Sequence, residues 1–161
     1  MFSFNIFNFF SNINIYMNSK TEDIKLGELN ETKAIPIISS FLNTTLTKDT
    51  NKYATFDFFN DPKTIYVELK SRRIKHDKYE TALIGENKVK WCKDPNINYY
   101  FVWLYNDGIY YLKYDKDLFN TFRIEKDYLI KMRFDVGRFE TSSVVHIPTK
   151  LLNKIPNIQF L

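Results

Sequence analysis

The sequence predicts an α+β fold with a mixed β-sheet flanked by helices. Three observations carry that expectation. Runs rich in aromatic and β-branched residues (YATFDFF, TIYVELK, YYFVWLY, IYYLKY) are separated by turn residues and read as strands. Stretches with three-four apolar spacing lie before and after the first pair of strands. The elements do not alternate as a regular βαβ series, which argues against a wholly parallel sheet.

The first helix falls within Thr21–Thr47, where Glu31, Ala34, Ile35, Ile38, Phe41, Leu42 and Leu46 approximate helical spacing. Pro36 either starts this helix or kinks it. Lys48–Lys52 reads as a polar turn. The Tyr53–Arg73 stretch predicts a β-hairpin around Asn60-Asp61-Pro62-Lys63. Alternation places Phe56 and Phe58 on one face with Ile65, Val67 and Leu69. The other face carries Thr55, Asp57, Phe59, Tyr66, Glu68 and Lys70. A two-residue loop at Pro62-Lys63 would set Asp57 opposite Glu68. A four-residue loop would make them diagonal neighbours, about 7–8 Å apart. Either register keeps both acids on one face.

Tyr79–Trp91 reads as a second short helix through Tyr79, Leu83, Ile84, Lys88 and Trp91. Tyr99–Tyr105 and Ile109–Tyr114 form a hairpin about Asn106-Asp107-Gly108. Phe122–Ile124 and Leu129–Phe134 are further strand pieces, and Ser143–Ile147 is a strand. Thr149–Ile155 is a closing helix or turn. The hairpin tyrosines Tyr99, Tyr100, Tyr105, Tyr110, Tyr111 and Tyr114 are expected to serve core and cross-strand packing.

Composition narrows the function. With 161 residues, 44% hydrophobic and 17% aromatic, the chain can bury one sizeable core and is not a disordered polymer. One segment, 1–20, stands apart from a single domain at 21–161. Its Met1–Tyr16 part is apolar, Asn-rich and uncharged. It is too short and interrupted for a membrane span and lacks the basic region of a secretory signal. It reads as a tail, or as an extension ahead of Met17. The single cysteine, Cys92, excludes an internal disulfide and points to a reducing, intracellular compartment. With only His76 and His146 as other soft ligands, a multi-cysteine zinc site is excluded. Isolated Gly85 and Gly108 make no phosphate-cradling loop, and Ser142-Ser143 with His146 makes no nucleophile elbow. The net charge of +4 is compatible with a nucleic-acid partner.

The chemistry-bearing set is Asp57, Glu68 and Lys70. Two adjacent carboxylates repel unless a cation sits between them. A hard divalent ion such as Mg²⁺ meets that need, with the Leu69 carbonyl as a further oxygen. An ammonium at Lys70 can orient an attacking water or neutralise phosphate charge. The same residues also suit the solvated face of an antiparallel sheet.

Asp57, ten intervening residues, then Glu68-Leu69-Lys70 on the second strand of a hairpin resembles the PD-(D/E)xK nuclease superfamily. The passages VELKSRRIKHDKYETALIGENKV and VVHIPTKLL are most similar to nuclease-like proteins of large DNA viruses. The resemblance implies a restriction-endonuclease-like core and Mg²⁺-dependent hydrolysis of DNA, with Mn²⁺ as a substitute. It implies that Asp57 and Glu68 hold the metal, that Lys70 is catalytic, and that Glu31, or else Glu28, joins from the helix ahead of the hairpin. The family's proline is absent, since Phe56 precedes the acid. For a virus-like protein the location would be the host nucleus or cytoplasm, with no membrane partner. Arg72, Arg73, Lys75 and Lys78 leave the active-site strand and are expected to hold phosphates. Lys88 is the basic helical residue expected near the site. The small size suggests that specificity comes from a homodimer or another partner. The rival expectation is a nuclease-fold protein without catalysis that serves as a binding or structural subunit.

Overall fold

The computed structural model describes residues 29–51, 53–133 and 138–156. The expectations for residues 1–20, Glu28 and Phe134 lie outside them. Helix α1 (29–41) leads into β1 (Leu46–Lys48), β2 (Phe58–Asn60) and β3 (Ile65–Ser71). Then come β4 (Thr81–Gly85), α2 (Glu86–Trp91), β5 (Asn98–Tyr105) and β6 (Gly108–Lys113). The chain closes with α3 (Lys116–Asn120), β7 (Arg123–Arg133), β8 (Arg138–Pro148), a 3-10 turn (Thr149–Leu151) and β9 (Asn153–Lys154).

A six-stranded sheet has the order β1-β2-β3-β5-β6-β9, and a three-stranded sheet has β4-β8-β7. The β3–β5 pair is parallel and the others are antiparallel, so the fold is α+β with a mixed sheet, as expected of a restriction-endonuclease-like core. One face of the large sheet packs Val67, Leu69, Val102 and Ile109 against Ala34 and Ile38 of α1. The other packs Tyr99, Phe101 and Trp103 against Ala82, Ile84, Val145 and Ile147 of the small sheet and Phe119 of α3. Glu68 and Lys70 are in register with Phe101 and Trp103, so they project into this second layer, between the sheets.

Several expectations change. The first helix does not start at Pro36 but contains it, at an exposed position where one backbone bond is forgone, and it ends at 41, so Leu46 belongs to a strand. The segment 81–85 is a strand paired with β8, because alternation buries Ala82 and Ile84 against the large sheet; only 86–91 is helical. The two pieces expected around 122–134 belong to one long strand, β7, interrupted by an irregularity between Glu125 and Leu129 where Asp127 takes a φ of 52°. The chain bends at 55–57, so Phe56 crosses to the Phe101 layer while Phe58 stays with α1. The expected closing helix shrinks to a 3-10 turn followed by β9.

The Asp107-Gly108 hairpin is observed, with Tyr105 paired to Gly108. Tyr99, Tyr105 and Tyr110 are buried as packing residues. Gly108 has a φ of 149°, and a Cβ there would meet the flexible Lys154 side chain at 2.6 Å. Lys154 can move aside, so backbone strain decides the outcome. Gly108→Ala is expected to cost about 1–2 kcal/mol in denaturant unfolding.

Candidate active site

The β2–β3 register pairs Phe58 with Val67 and Phe59 with Tyr66. This is the shorter-loop register, and Asp57 lies one residue before β2, outside the ladder. The turn is held by Asn60, whose side-chain oxygen accepts from the amides of Thr64 and Ile65, at 2.9 and 2.8 Å. Backbone bonds fix Asp57 at the mouth of the pair. Its amide donates to the Val67 carbonyl at 3.1 Å, and its Oδ2 accepts from the Leu69 amide at 2.8 Å. The amide and carbonyl of a strand residue face the same neighbour. The Leu69 carbonyl therefore also faces the β2 side.

Glu68 is fully buried. This overturns the solvated-face reading, because a buried carboxylate needs charged partners. It has two. Lys70 Nζ donates to Oε1, and Lys88 Nζ donates to Oε2 at 2.9 Å. Lys88 reaches in from α2 and also donates to the Thr55 carbonyl, which ties the helix to the bend that presents Asp57. Burial pushes the Glu68 carboxyl above its ordinary range, and the Asp57 charge adds to the push; Lys70 and Lys88 pull the other way and do not win. A single carboxylate is thus held between two ammonium groups, beside a second acid.

Glu31 lies elsewhere. It sits on α1, which packs against the opposite face of the sheet, and it pairs with Lys48 at 2.7 Å. Among the described residues no three His, Cys, Asp or Glu side chains gather as a metal cluster, so Glu31 does not join the two acids in one. The oxygens near one another there are the Asp57 and Glu68 carboxylates, whose charges act on each other, with the Leu69 backbone beside Asp57. These are hard oxygens suited to Mg²⁺, which keeps much of its water and needs few protein ligands.

Arg72, Arg73, Lys75 and Lys78 are exposed along the β3–β4 connection. The connection is anchored by His76. Its amide donates to Asp107 Oδ1 at 2.9 Å, its Nδ1 lies 2.6 Å from Oδ2, and its ring stacks on Tyr110 with centroids 4.2 Å apart. This anchor was not foreseen; the only signal was a histidine within a basic run and an acid in the turn of a distant hairpin. Burial works to raise the Asp107 carboxyl, but the bonds from His76, its own amide and Tyr110 carry it below its ordinary range. A lowered carboxyl stabilises the fold above its unfolded-state value and loses that contribution as pH falls through the folded one. Asp107→Asn should therefore lower the thermal midpoint at neutral pH and flatten its decline below about pH 4. Scanning calorimetry across that range is the check.

No described helix is long and apolar enough to cross a membrane. No curated protein matches the chain. The family model described as "Phage putative PDDEXK endonuclease" matches residues 25–155, a span that includes Asp57, Glu68, Lys70 and Lys88. The chain belongs to that family.

Proposed function

We propose that the protein is a divalent-metal-dependent endonuclease that hydrolyses phosphodiester bonds in DNA. The observation that carries this reading is the convergence of Asp57 and Glu68 from adjacent strands, with Lys70 bonded to Glu68. Asp57, Glu68 and the Leu69 carbonyl would hold Mg²⁺, or Mn²⁺ in its place. When bound, the metal would supply positive charge for the phosphodiester as bond breaking builds up negative charge. In the reaction a water oxygen bonds to phosphorus and one bridging P–O bond breaks. The products are a phosphomonoester and a hydroxyl, and the leaving oxygen ends with a proton.

The chain's own groups have separate parts. Lys70, whose side chain is 31% exposed, reaches the solvent side of the pair and can hold the attacking water or a phosphate oxygen. Its ammonium donates and cannot accept, so its part is orientation and charge neutralisation. Lys88 is a positioning residue that fixes the second Glu68 oxygen. Arg72, Arg73, Lys75 and Lys78 would hold flanking phosphates.

The test is incubation of the purified protein with plasmid and linear labelled DNA in Mg²⁺, Mn²⁺ or EDTA. Cleavage with either metal and none in EDTA is expected. Salt-sensitive DNA binding without cleavage would favour the non-catalytic subunit instead.

A further inference from the structure

Arg72 continues the face of β3 that carries Glu68 and Lys70. Its amide donates to the Leu104 carbonyl at 2.8 Å, so the β3–β5 ladder extends one residue beyond the strand. Two residues advance the chain by about 7 Å, roughly one nucleotide's span. At that point Arg72 enters a cleft of about 470 Å³ whose walls include His76, Tyr79, Tyr105, Tyr128 and His146.

Three properties of this cleft define its ligand. Its volume lies in the range of small-molecule pockets, about 300–1,000 Å³, which suits a single nucleotide. Among the described residues no acidic one lines it, while an arginine does. Two of its tyrosines are kept in solvent: Tyr79 is 62% exposed and Tyr128 is 43% exposed, whereas Tyr99, Tyr105 and Tyr110 are packed away. The histidines are committed elsewhere, His76 to Asp107 and His146 Nε2 to Glu125 at 2.9 Å. They offer rings and a fixed wall. Exposed aromatic faces beside a cationic side chain form a surface on which an unpaired base can stack.

We propose that this cleft receives the unstacked base of a nucleotide next to the scissile phosphate, and that the favoured substrate is DNA with an unpaired nucleotide. The proposal rests on the nuclease reading for the position of the cut. Extracting a base from intact duplex costs stacking and pairing energy, which a single-stranded or mismatched nucleotide does not demand in full. Arg72 would hold the intervening phosphate.

Binding measured in EDTA isolates this step from hydrolysis. The probes are labelled oligothymidylate and a duplex of equal length. Wild type should bind the single strand more tightly. The double variant Tyr79→Ala/Tyr128→Ala should lose about tenfold for the single strand and keep its duplex affinity and thermal midpoint. Tyr79→Phe/Tyr128→Phe, which keeps both rings, should restore single-strand binding. An equal loss for both probes, no loss, or duplex preference in the wild type overturns the proposal. A protein that cleaves no DNA yet shows the tyrosine-dependent preference keeps the base-binding cleft and loses the hydrolytic reading. Metal-dependent cleavage with unaffected tyrosine variants has the opposite consequence.

Discussion

Lys70→Ala is expected to lower the rate of DNA cleavage by about 10³-fold while leaving a folded protein. The size follows from removing a charged donor that, on the proposed mechanism, would face the reacting phosphate in a partly buried site. The fold should persist because Lys70 is the more exposed of the two Glu68 partners, 31% against 19% for Lys88, and Lys88 remains to balance the acid. Glu68→Gln should show a loss of at least the same order, since it removes the charge that would hold the metal and the acceptor that orients Lys70. Initial rates on labelled DNA, with circular dichroism as the control for folding, decide the matter. A Lys70→Ala rate within about tenfold of wild type removes the lysine from the mechanism.

Lys88→Met is expected to act on stability and metal response together. The substitution keeps the stem's packing and deletes the ammonium that serves both Glu68 and the Thr55 carbonyl. Breaking one arm of a buried ion pair should cost the metal-free protein about 2 kcal/mol, at the low end for such losses because Lys70 stays in place. A divalent cation would then meet one less competing charge at Glu68. The rise in thermal midpoint on adding Mg²⁺ should be larger in Lys88→Met than in wild type. An unchanged midpoint without metal would show that Lys88 does not hold the carboxylate in solution.

The site was legible where chemistry and alternation agree locally. The β2–β3 hairpin announces itself through Asn60-Asp61-Pro62-Lys63 between two β-rich runs, and alternation puts Glu68 and Lys70 on one side of β3, while the bend at 55–57 takes Asp57 outside that pattern. The β5–β6 pair was equally plain from Asp107-Gly108. Strand β4 was not, because Tyr79, Leu83, Ile84, Lys88 and Trp91 mimic helical spacing across a junction between strand and helix. The long β7 looked like fragments because an irregularity breaks its pattern. The pairing of Lys88 with Glu68 spans 20 residues and depends on how α2 docks, so the family resemblance implied a lysine near the acids without naming its partner. The Glu31 expectation came from the family resemblance, and the Lys48 partner across the α1 layer could not be read from spacing.

The parallel alignment of β3 with β5 has a kinetic consequence. Antiparallel neighbours can zip from a tight turn, but these two strands can pair only by closing the long crossover that contains β4 and α2. Closing such a loop is entropically uphill until its contacts are made. In a refolding experiment the ability to cut DNA should therefore emerge with the slowest cooperative phase, and a nascent chain halted before β5 would be inert.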